Sequence, residues 1–248
     1  MALLFANHGR DMTPSDSELP GLRPGTLYLV ATPIGNREDI TLRALRTLRQ
    51  CDVVAAEDTR HTGQLLRHFD IHKPLLSYFK FNEAQRSEEI LTRLRDGQSV
   101  ALVTDAGSPG ISDPGERVVQ AVLKAGLRVE SVPGPCALVA ALTASGLPTH
   151  PFQFLGFLPL KSGARQRLLA GLTTYPGTVV CYESPHRIGR LLTELADILP
   201  NHTVAIAREL TKKFEEHLRG RAAELAEASA ARTWKGELVV MLAPPAET

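Results

Sequence analysis

Apolar residues along this chain fall into short continuous runs, separated by stretches that are apolar only at every third or fourth position. The runs are Leu27 to Ala31, Val53 to Ala56, Leu75 to Tyr78, Val100 to Thr104 and Val129 to Val132. Their length and their β-branched residues predict strands. Residues 40–49, 60–68, 83–95 and 114–125 carry helical spacing between them. Such alternation predicts a mostly parallel sheet with helices on its faces. Asp113-Pro114 reads as a helix opening, with Asp as N-cap and Pro at the first helical position. The apolar stretch 135–146 reads as a buried helix closed by Gly146-Leu147-Pro148, and Thr149 to Pro151 as a linker.

A second alternation follows. Strands are expected near 153–157, 178–182, 203–207, 214–218 and 237–242, and helices near 163–173, 186–199 and 221–230. Residues 1–24 show no sustained periodicity and read as a mobile tail. The organisation predicted is two α/β domains, 25–148 and 149–248, behind that tail.

Composition narrows the function classes. The 248 residues are 43% hydrophobic, enough for a substantial core, and the formal charge of +1 does not mark a nucleic-acid binder by itself. Any grip on RNA must come from local clusters, such as Arg43/Arg46/Arg49, Lys161/Arg165/Arg167 and Arg208/Lys212/Lys213 with Arg219 and Arg221. Cys51, Cys136 and Cys181 lie far apart, and the eight histidines lack zinc-ligand spacing, so neither a disulfide nor a metal is expected. Met1 to Phe5 does not form a signal peptide, and no apolar run approaches the roughly 20 residues that cross a bilayer. The expectation is a cytoplasmic protein without a membrane partner.

Chemistry-bearing residues collect where the predicted strands end, the place where open α/β sheets bind ligands. Thr32-Pro33-Ile34-Gly35-Asn36, Glu57-Asp58-Thr59-Arg60-His61, Asp105-Ala106-Gly107-Ser108-Pro109-Gly110 and Pro133-Gly134-Pro135 follow strands of the first half. Glu183-Ser184-Pro185-His186-Arg187 and Arg208-Glu209-Leu210-Thr211-Lys212 follow strands of the second. Tight βα turns use Pro and Gly for structural reasons alone, so one such loop means little, and several together argue for a cleft. The chain has no G-x-G-x-x-G, no P-loop and no G-x-S-x-G elbow, which weakens the case for nicotinamide oxidoreductases, P-loop NTPases and α/β-hydrolases.

At these loops the sequence resembles the ribosomal RNA small subunit methyltransferase I family of the tetrapyrrole methylase (class III) superfamily. The likeness runs through Leu29 to Asn36, Asp39-Ile40-Thr41, Ala55 to Gly63, Val103 to Pro109, Ile111 to Gly115 and Val132 to Ala137. It continues through Gly156 to Pro159, Tyr182 to Arg187 and Ala207 to Lys212. The motifs occur in order over roughly residues 25–242, and such a series is far more specific than any one of them. The resemblance implies two α/β domains with the cofactor, S-adenosyl-L-methionine, in the cleft between them, and usually a homodimer. It implies 2′-O-methylation of cytidine 1402 of 16S ribosomal RNA within the small ribosomal subunit. Where relatives commonly carry a histidine-rich stretch, this chain has Phe79-Lys80-Phe81-Asn82-Glu83, so any role of those histidines does not transfer.

The resemblance places the cofactor against Pro33, with Asp105, Ala106, Gly107, Ser108, Cys136, Ala137, Tyr182, Ala207 and Gly236 completing its pocket. Small residues there let the backbone approach a ligand closely. Glu57, Asp58, Arg60, Asn82, Glu183 and His186 are the candidate catalytic residues. Glu57 or Glu183 can accept the hydroxyl proton if burial raises its pKa. Arg60 or Arg187 can hold an adjacent phosphate, or Asp58–Arg60 and Glu183–Arg187 can simply be ion pairs. Arg60, Lys80, Arg187, Arg208 and Lys212 are the candidate RNA contacts. Two alternatives remain at this point: a precorrin- or diphthine-type methyltransferase of the same superfamily, and a non-catalytic RNA- or nucleotide-binding relative.

Overall fold

A computed structural model of the chain describes residues 21–245. Two five-stranded sheets organise it. The first contains β1 (Thr26–Val30), β2 (Val53–Ala56), β3 (Leu75–Ser77), β4 (Val100–Val103) and β5 (Arg128–Val132), in the order β3-β2-β4-β1-β5. Every pairing in it is parallel. The central strands β2 and β4 are buried at all positions, because helices cover both faces. Those helices are α1 (Leu42–Gln50), α2 (Thr59–His68), α3 (Glu83–Arg95) and α4 (Glu116–Lys124). On one face Ala44, Leu45 and Leu48 of α1 and Leu66 of α2 pack on Val54 and Ala101. On the other, Ile90 and Leu94 of α3 and Val118 and Val122 of α4 pack on Val53 and Leu102.

The second sheet is mixed. Its strands are β6 (Phe152–Phe157), β7 (Thr178–Glu183), β8 (Thr203–Arg208), β9 (Glu216–Arg221) and β10 (Leu238–Ala243), ordered β6-β7-β10-β8-β9. Only β6 and β7 pair in parallel. Helices α6 (Ser162–Gly171), α7 (Ile188–Ile198) and α8 (Ala222–Ala230) complete this half, with Leu191, Leu192 and Leu195 at its centre.

The expected strands and helices are all present, with shifts of a few residues at their ends. Two features depart from the sequence reading. Helix α4 starts at Glu116 with Gly115 as its N-cap at φ 150°, so Asp113 does not cap it. Helix α5 (Ala137–Ala144) precedes the linker yet packs on the second sheet, where Leu138, Ala141 and Leu142 meet Val180, Ala205 and Met241. Arg219 of β9 fixes it there by donating to Ser145 O at 2.7 Å and to Ala144 O, carbonyls that a helix end leaves free. Of the tail expected over residues 1–24, residues 1–20 lie outside the described residues. Within the remainder, Leu22 packs against the first core and the Arg23 backbone N–H donates to the Tyr28 hydroxyl at 2.8 Å.

Candidate active site

The carboxyl ends of β1, β2, β4 and β5 are bound to one another by backbone and side-chain hydrogen bonds. Thr32 and Gly107 exchange backbone bonds of 2.9 and 3.0 Å, and Thr32 Oγ1 donates to Thr104 O at 3.0 Å. Gly107 holds this geometry at φ +84°, a left-handed conformation that favours glycine. Asp105 Oδ1 accepts from the Asp58 N–H at 3.1 Å, and Ser108 Oγ donates to Pro135 O at 3.2 Å. Four loops therefore form one platform.

The second sheet supplies the opposite wall. Glu183 of β7 and Arg208 of β8 both stand level with Leu238 of β10, so two strand ends and one strand start meet at the same edge. The two halves touch where Asn36 N–H donates to Thr211 Oγ1 at 3.0 Å. Gly35 makes this approach possible, since a Cβ there would lie 2.5 Å from Lys212 Cγ and 2.8 Å from Thr211 Oγ1. Ser112, Glu209 and Thr211 have φ of 66°, 50° and 65°, so backbone strain concentrates around this cleft.

Between the walls lies a cavity of about 410 Å³. Its lining includes Asp105, Ala106, Gly107, Ser108, Cys136, Ala137, Tyr182, Ala207 and Gly236, together with Glu57 and Glu183. Tyr182 packs edge-on against Phe154 and Phe157, with ring centroids 4.9 and 5.8 Å away, and forms an aromatic side of the cavity. Pro33 lines a neighbouring hollow of about 390 Å³ with His61, Gln64 and Lys212.

The cavity is strongly acidic. Glu57, Asp105, Asp113, Glu183 and Glu237 line it, and no lysine or arginine does. Burial, reinforced by Asp105, raises the pKa of Glu57. Burial raises that of Glu183 as well, against the lowering influence of the Ser184 N–H, Arg187 and Arg165. Glu183 Oε1 accepts from Ser184 N at 2.7 Å, while its buried Oε2 has no hydrogen-bond partner among the described residues. Asp113 is pushed up to about 7 by burial and then by the charges of Glu57, Asp105 and Glu237.

The other residues singled out from the sequence have local roles. Asp58 caps α2 by accepting from the Arg60 backbone N–H at 2.8 Å. The Arg60 side chain folds back onto the same carboxylate at 3.0 Å, and this holds Asp58 down at about 2. Asn82 fixes the turn before α3, accepting from Phe79 N at 2.8 Å and donating to Ser77 O at 3.2 Å. His186 is exposed and lines none of these cavities. Arg187 bonds Leu158 O at 2.7 Å and lies 3.2 Å from Glu183. Arg208 bonds Glu216, Phe214 O and Lys235 O, and Lys212 bonds Glu209 and Glu237, both at 2.8 Å. Arg165, from the expected basic clusters, is buried against Glu194. Lys80 lies on a polar cleft of about 530 Å³ beside Glu83 and Arg117.

The sequence reading missed Asp113 and Glu237 as site residues. The first was hidden by the helix-opening pattern Asp-Pro, although it stands inside the quoted stretch Ile111 to Gly115. Among the described residues no group of three His, Cys, Asp or Glu side chains is placed to hold a metal ion. No helix among them is long and apolar enough to cross a membrane.

Comparisons with known proteins agree with this architecture. The family model for Tetrapyrrole (Corrin/Porphyrin) Methylases matches residues 26–226. A ribosomal RNA small subunit methyltransferase I from Halalkalibacterium halodurans is 48% identical over 218 residues, covering 88% of this chain and 75% of that protein. Its counterpart from Xylella fastidiosa is 51% identical over 222 residues, covering 88% and 81%. Among solved structures, uroporphyrin-III C-methyl transferase from Thermus thermophilus complexed with S-adenyl homocysteine superposes with a TM-score of 0.61 at 24% identity, covering 87% of this chain and 96% of that one. A cobalt precorrin-4 methyltransferase gives 0.63 at 21% identity, covering 93% and 97%. The solved structures share the fold, and the extensive identity to the first two proteins is narrower: the chain belongs to the tetrapyrrole methylase family, in its ribosomal RNA small subunit methyltransferase I branch.

Proposed function

We propose that this protein transfers the methyl group of S-adenosyl-L-methionine to a ribose 2′-oxygen of small-subunit ribosomal RNA, at cytidine 1402 of 16S RNA. The observation that carries the reading is the cleft between the sheets, lined by five carboxylates and by no basic residue. A ligand bearing a sulfonium and an ammonium gains from that field, whereas a phosphorylated cofactor is repelled by it. A tetrapyrrole, which carries several carboxylates of its own, is disfavoured on the same ground. Relatives named for ribosomal RNA, about half identical over most of the chain, support the RNA substrate.

The residues around the cavity fit this cofactor. Backbone at Ala106 and Gly107 lies open to a ligand, Tyr182 offers an aromatic face, and the unpartnered Glu183 Oε2 can accept a hydrogen bond from a ligand donor. When bound, the cofactor supplies an electrophilic methyl carbon. The platform of four hydrogen-bonded loops is a rigid support against which a hydroxyl can be held, and such positioning is a large part of what an enzyme contributes to an in-line displacement. Lys80 and Arg117, on the outer cleft, are the cations placed to meet phosphates there. By the same family resemblance, the protein works as a cytoplasmic homodimer.

The test is transfer of labelled methyl from S-adenosylmethionine to small ribosomal subunits lacking the modification, with the product nucleotide mapped. Label on the 2′-oxygen of the cytidine is the expected result. Intact cofactor binding without transfer to any small-subunit RNA overturns the reading.

A further inference from the structure

Three residues line both the inner cavity and the outer polar cleft: Glu57, Ser112 and Asp113. If the cofactor occupies the first space and the target nucleotide enters by the second, the reacting hydroxyl must come to this shared wall. The wall carries two carboxylates, and they are held differently.

Asp113 is the least committed carboxylate of the cavity. Among the described residues it accepts no hydrogen bond and forms no ion pair. Asp105 accepts from Asp58 N, Glu183 is held by Ser184 N and Arg187, and Glu237 is paired with Lys212. Glu57, on the same wall, forms no ion pair among the described residues either, but the Asp105 backbone N–H favours its charged form, an influence Asp113 lacks. The local chain keeps Asp113 in this state. Its own sequence suits a helix cap, yet α4 begins three residues later, after Gly115 at φ +150°. A side chain at Gly115 would place its Cβ 3.1 Å from Gly110 N, so the loop closes on itself and leaves the Asp113 carboxylate half-buried on the cavity wall.

We propose, resting on the methyltransferase reading, that the Asp113 carboxylate is the proton acceptor for the hydroxyl that receives the methyl group. In the step, the hydroxyl proton passes to an Asp113 oxygen as the hydroxyl oxygen forms its bond to the methyl carbon. The bond from that carbon to sulfur breaks, and sulfur keeps the electron pair and becomes a neutral thioether. Asp113 then returns its proton to water through the outer cleft. Facing groups are Glu57 from the loop after β2, Asp105 from the loop after β4, and Glu237 and Glu183 from the second sheet. Lys80, Glu83, Glu116 and Arg117 face it across the outer cleft. The acidic neighbours outnumber the cations, and together with burial they hold the carboxyl near 7, where it is an effective base at neutral pH.

The experiment compares wild type, Asp113→Asn, Asp113→Glu and Glu57→Gln in single-turnover methyl transfer to unmodified small subunits across the neutral pH range. Cofactor affinity is measured by calorimetry on each. For wild type the rate rises with pH through about 7, because only the ionised carboxylate accepts a proton. Asp113→Asn should lower the rate by about 10²- to 10⁴-fold and abolish the rising limb, while cofactor affinity, which draws on all five carboxylates, falls by far less. Asp113→Glu should restore part of the rate. An Asp113→Asn variant with wild-type rate and pH profile overturns the proposal. So does loss of the limb in Glu57→Gln alone, which would give the role to Glu57. Cofactor binding without transfer in the wild type itself overturns the methyltransferase reading, and the role of Asp113 with it.

Discussion

The two halves of this molecule use charge in opposite ways. In the first, the loops after β2 and β4 bring Glu57 and Asp113 to the cleft, and neither forms an ion pair among the described residues. In the second, charged side chains are locked to one another or to backbone carbonyls: Arg165 to Glu194, Arg187 to Glu183 and Leu158 O, and Arg208 and Arg232 to Glu216. An all-parallel sheet collects its carboxyl-end loops at one edge, which makes it the natural carrier of reactive groups. The mixed sheet is a rigid wall whose charges hold its own helices. The difference is that Glu57 and Asp113 of one half are open to the cleft, whereas Arg187 and Arg208 of the other spend their donors on the fold itself.

The largest effect should come from breaking the second half's deepest pair. Arg165 Nε and Nη2 lie 2.5 and 2.7 Å from Glu194 oxygens, with side chains only 3% and 6% exposed. Arg165→Met leaves Glu194 buried and uncompensated, and urea unfolding should show a loss of about 3–5 kcal/mol. The double change Arg165→Met/Glu194→Leu should recover most of it, because a well-packed apolar pair often matches a buried ion pair. A single variant as stable as wild type would show that this wall does not depend on the pair.

The contact between halves is the next place to test. Gly35→Ala places a Cβ 2.5 Å from Lys212 Cγ and 3.0 Å from Leu210 O, and the second neighbour is backbone that cannot turn aside. Overpacking of this kind should cost about 1–3 kcal/mol and weaken cofactor binding, since Ile34 next to it lines the cavity. Thermal unfolding and calorimetry on the same sample read both effects. Unchanged cofactor affinity would mean that the two walls hold their spacing without the Gly35 contact.

Much of this was legible in the sequence, because strand and helix periodicities are local and because ligand cavities of α/β folds follow strand ends. Nine of the ten pocket residues expected from the resemblance line one cavity, and Pro33 lines the hollow beside it. What escaped depends on contacts between distant segments. Arg187 and Arg208 read as candidate RNA contacts, with a Glu183–Arg187 ion pair as the alternative for the first, and only the fold shows that the carbonyls of Leu158, Phe214 and Lys235 occupy their donors. Helix α5 reads as the end of the first half, and its partners Val180, Ala205 and Met241 come from the second. Asp113 reads as a helix cap because Asp-Pro is a strong local signal. The Gly110–Gly115 closure that overrules it is a matter of loop packing.

The remaining expected effect bears most directly on the comparison, because a charge kept available for chemistry should weigh on stability. Asp113 has a folded-state pKa of about 7, above its ordinary 3.8. A group raised on folding contributes stability that is full below the unfolded value and is lost as pH rises through the folded one. Wild type should therefore lose stability between about pH 4 and pH 7 relative to Asp113→Asn, whose side chain has nearly the same shape and no charge. The two proteins should match near pH 4, and the variant should lead by a constant margin above 7. Each pH unit by which folding raises the carboxyl adds about 1.4 kcal/mol to the margin, so a shift of this size is worth a few kcal/mol even after the water that reaches part of the carboxylate is allowed for. In a chain of this size each kcal/mol of margin is about 2–4 °C in Tm. The paired carboxylate Glu216 gives the opposite sign. Arg232 and Arg208 hold it down at about 2, so its contribution is present above the unfolded value and fades only in acid. If Asp113→Asn instead loses ground to wild type as pH rises, the carboxylate is stabilised in its charged form, and the first half then manages its charges as the second does; no change with pH means that folding leaves its pKa where it was.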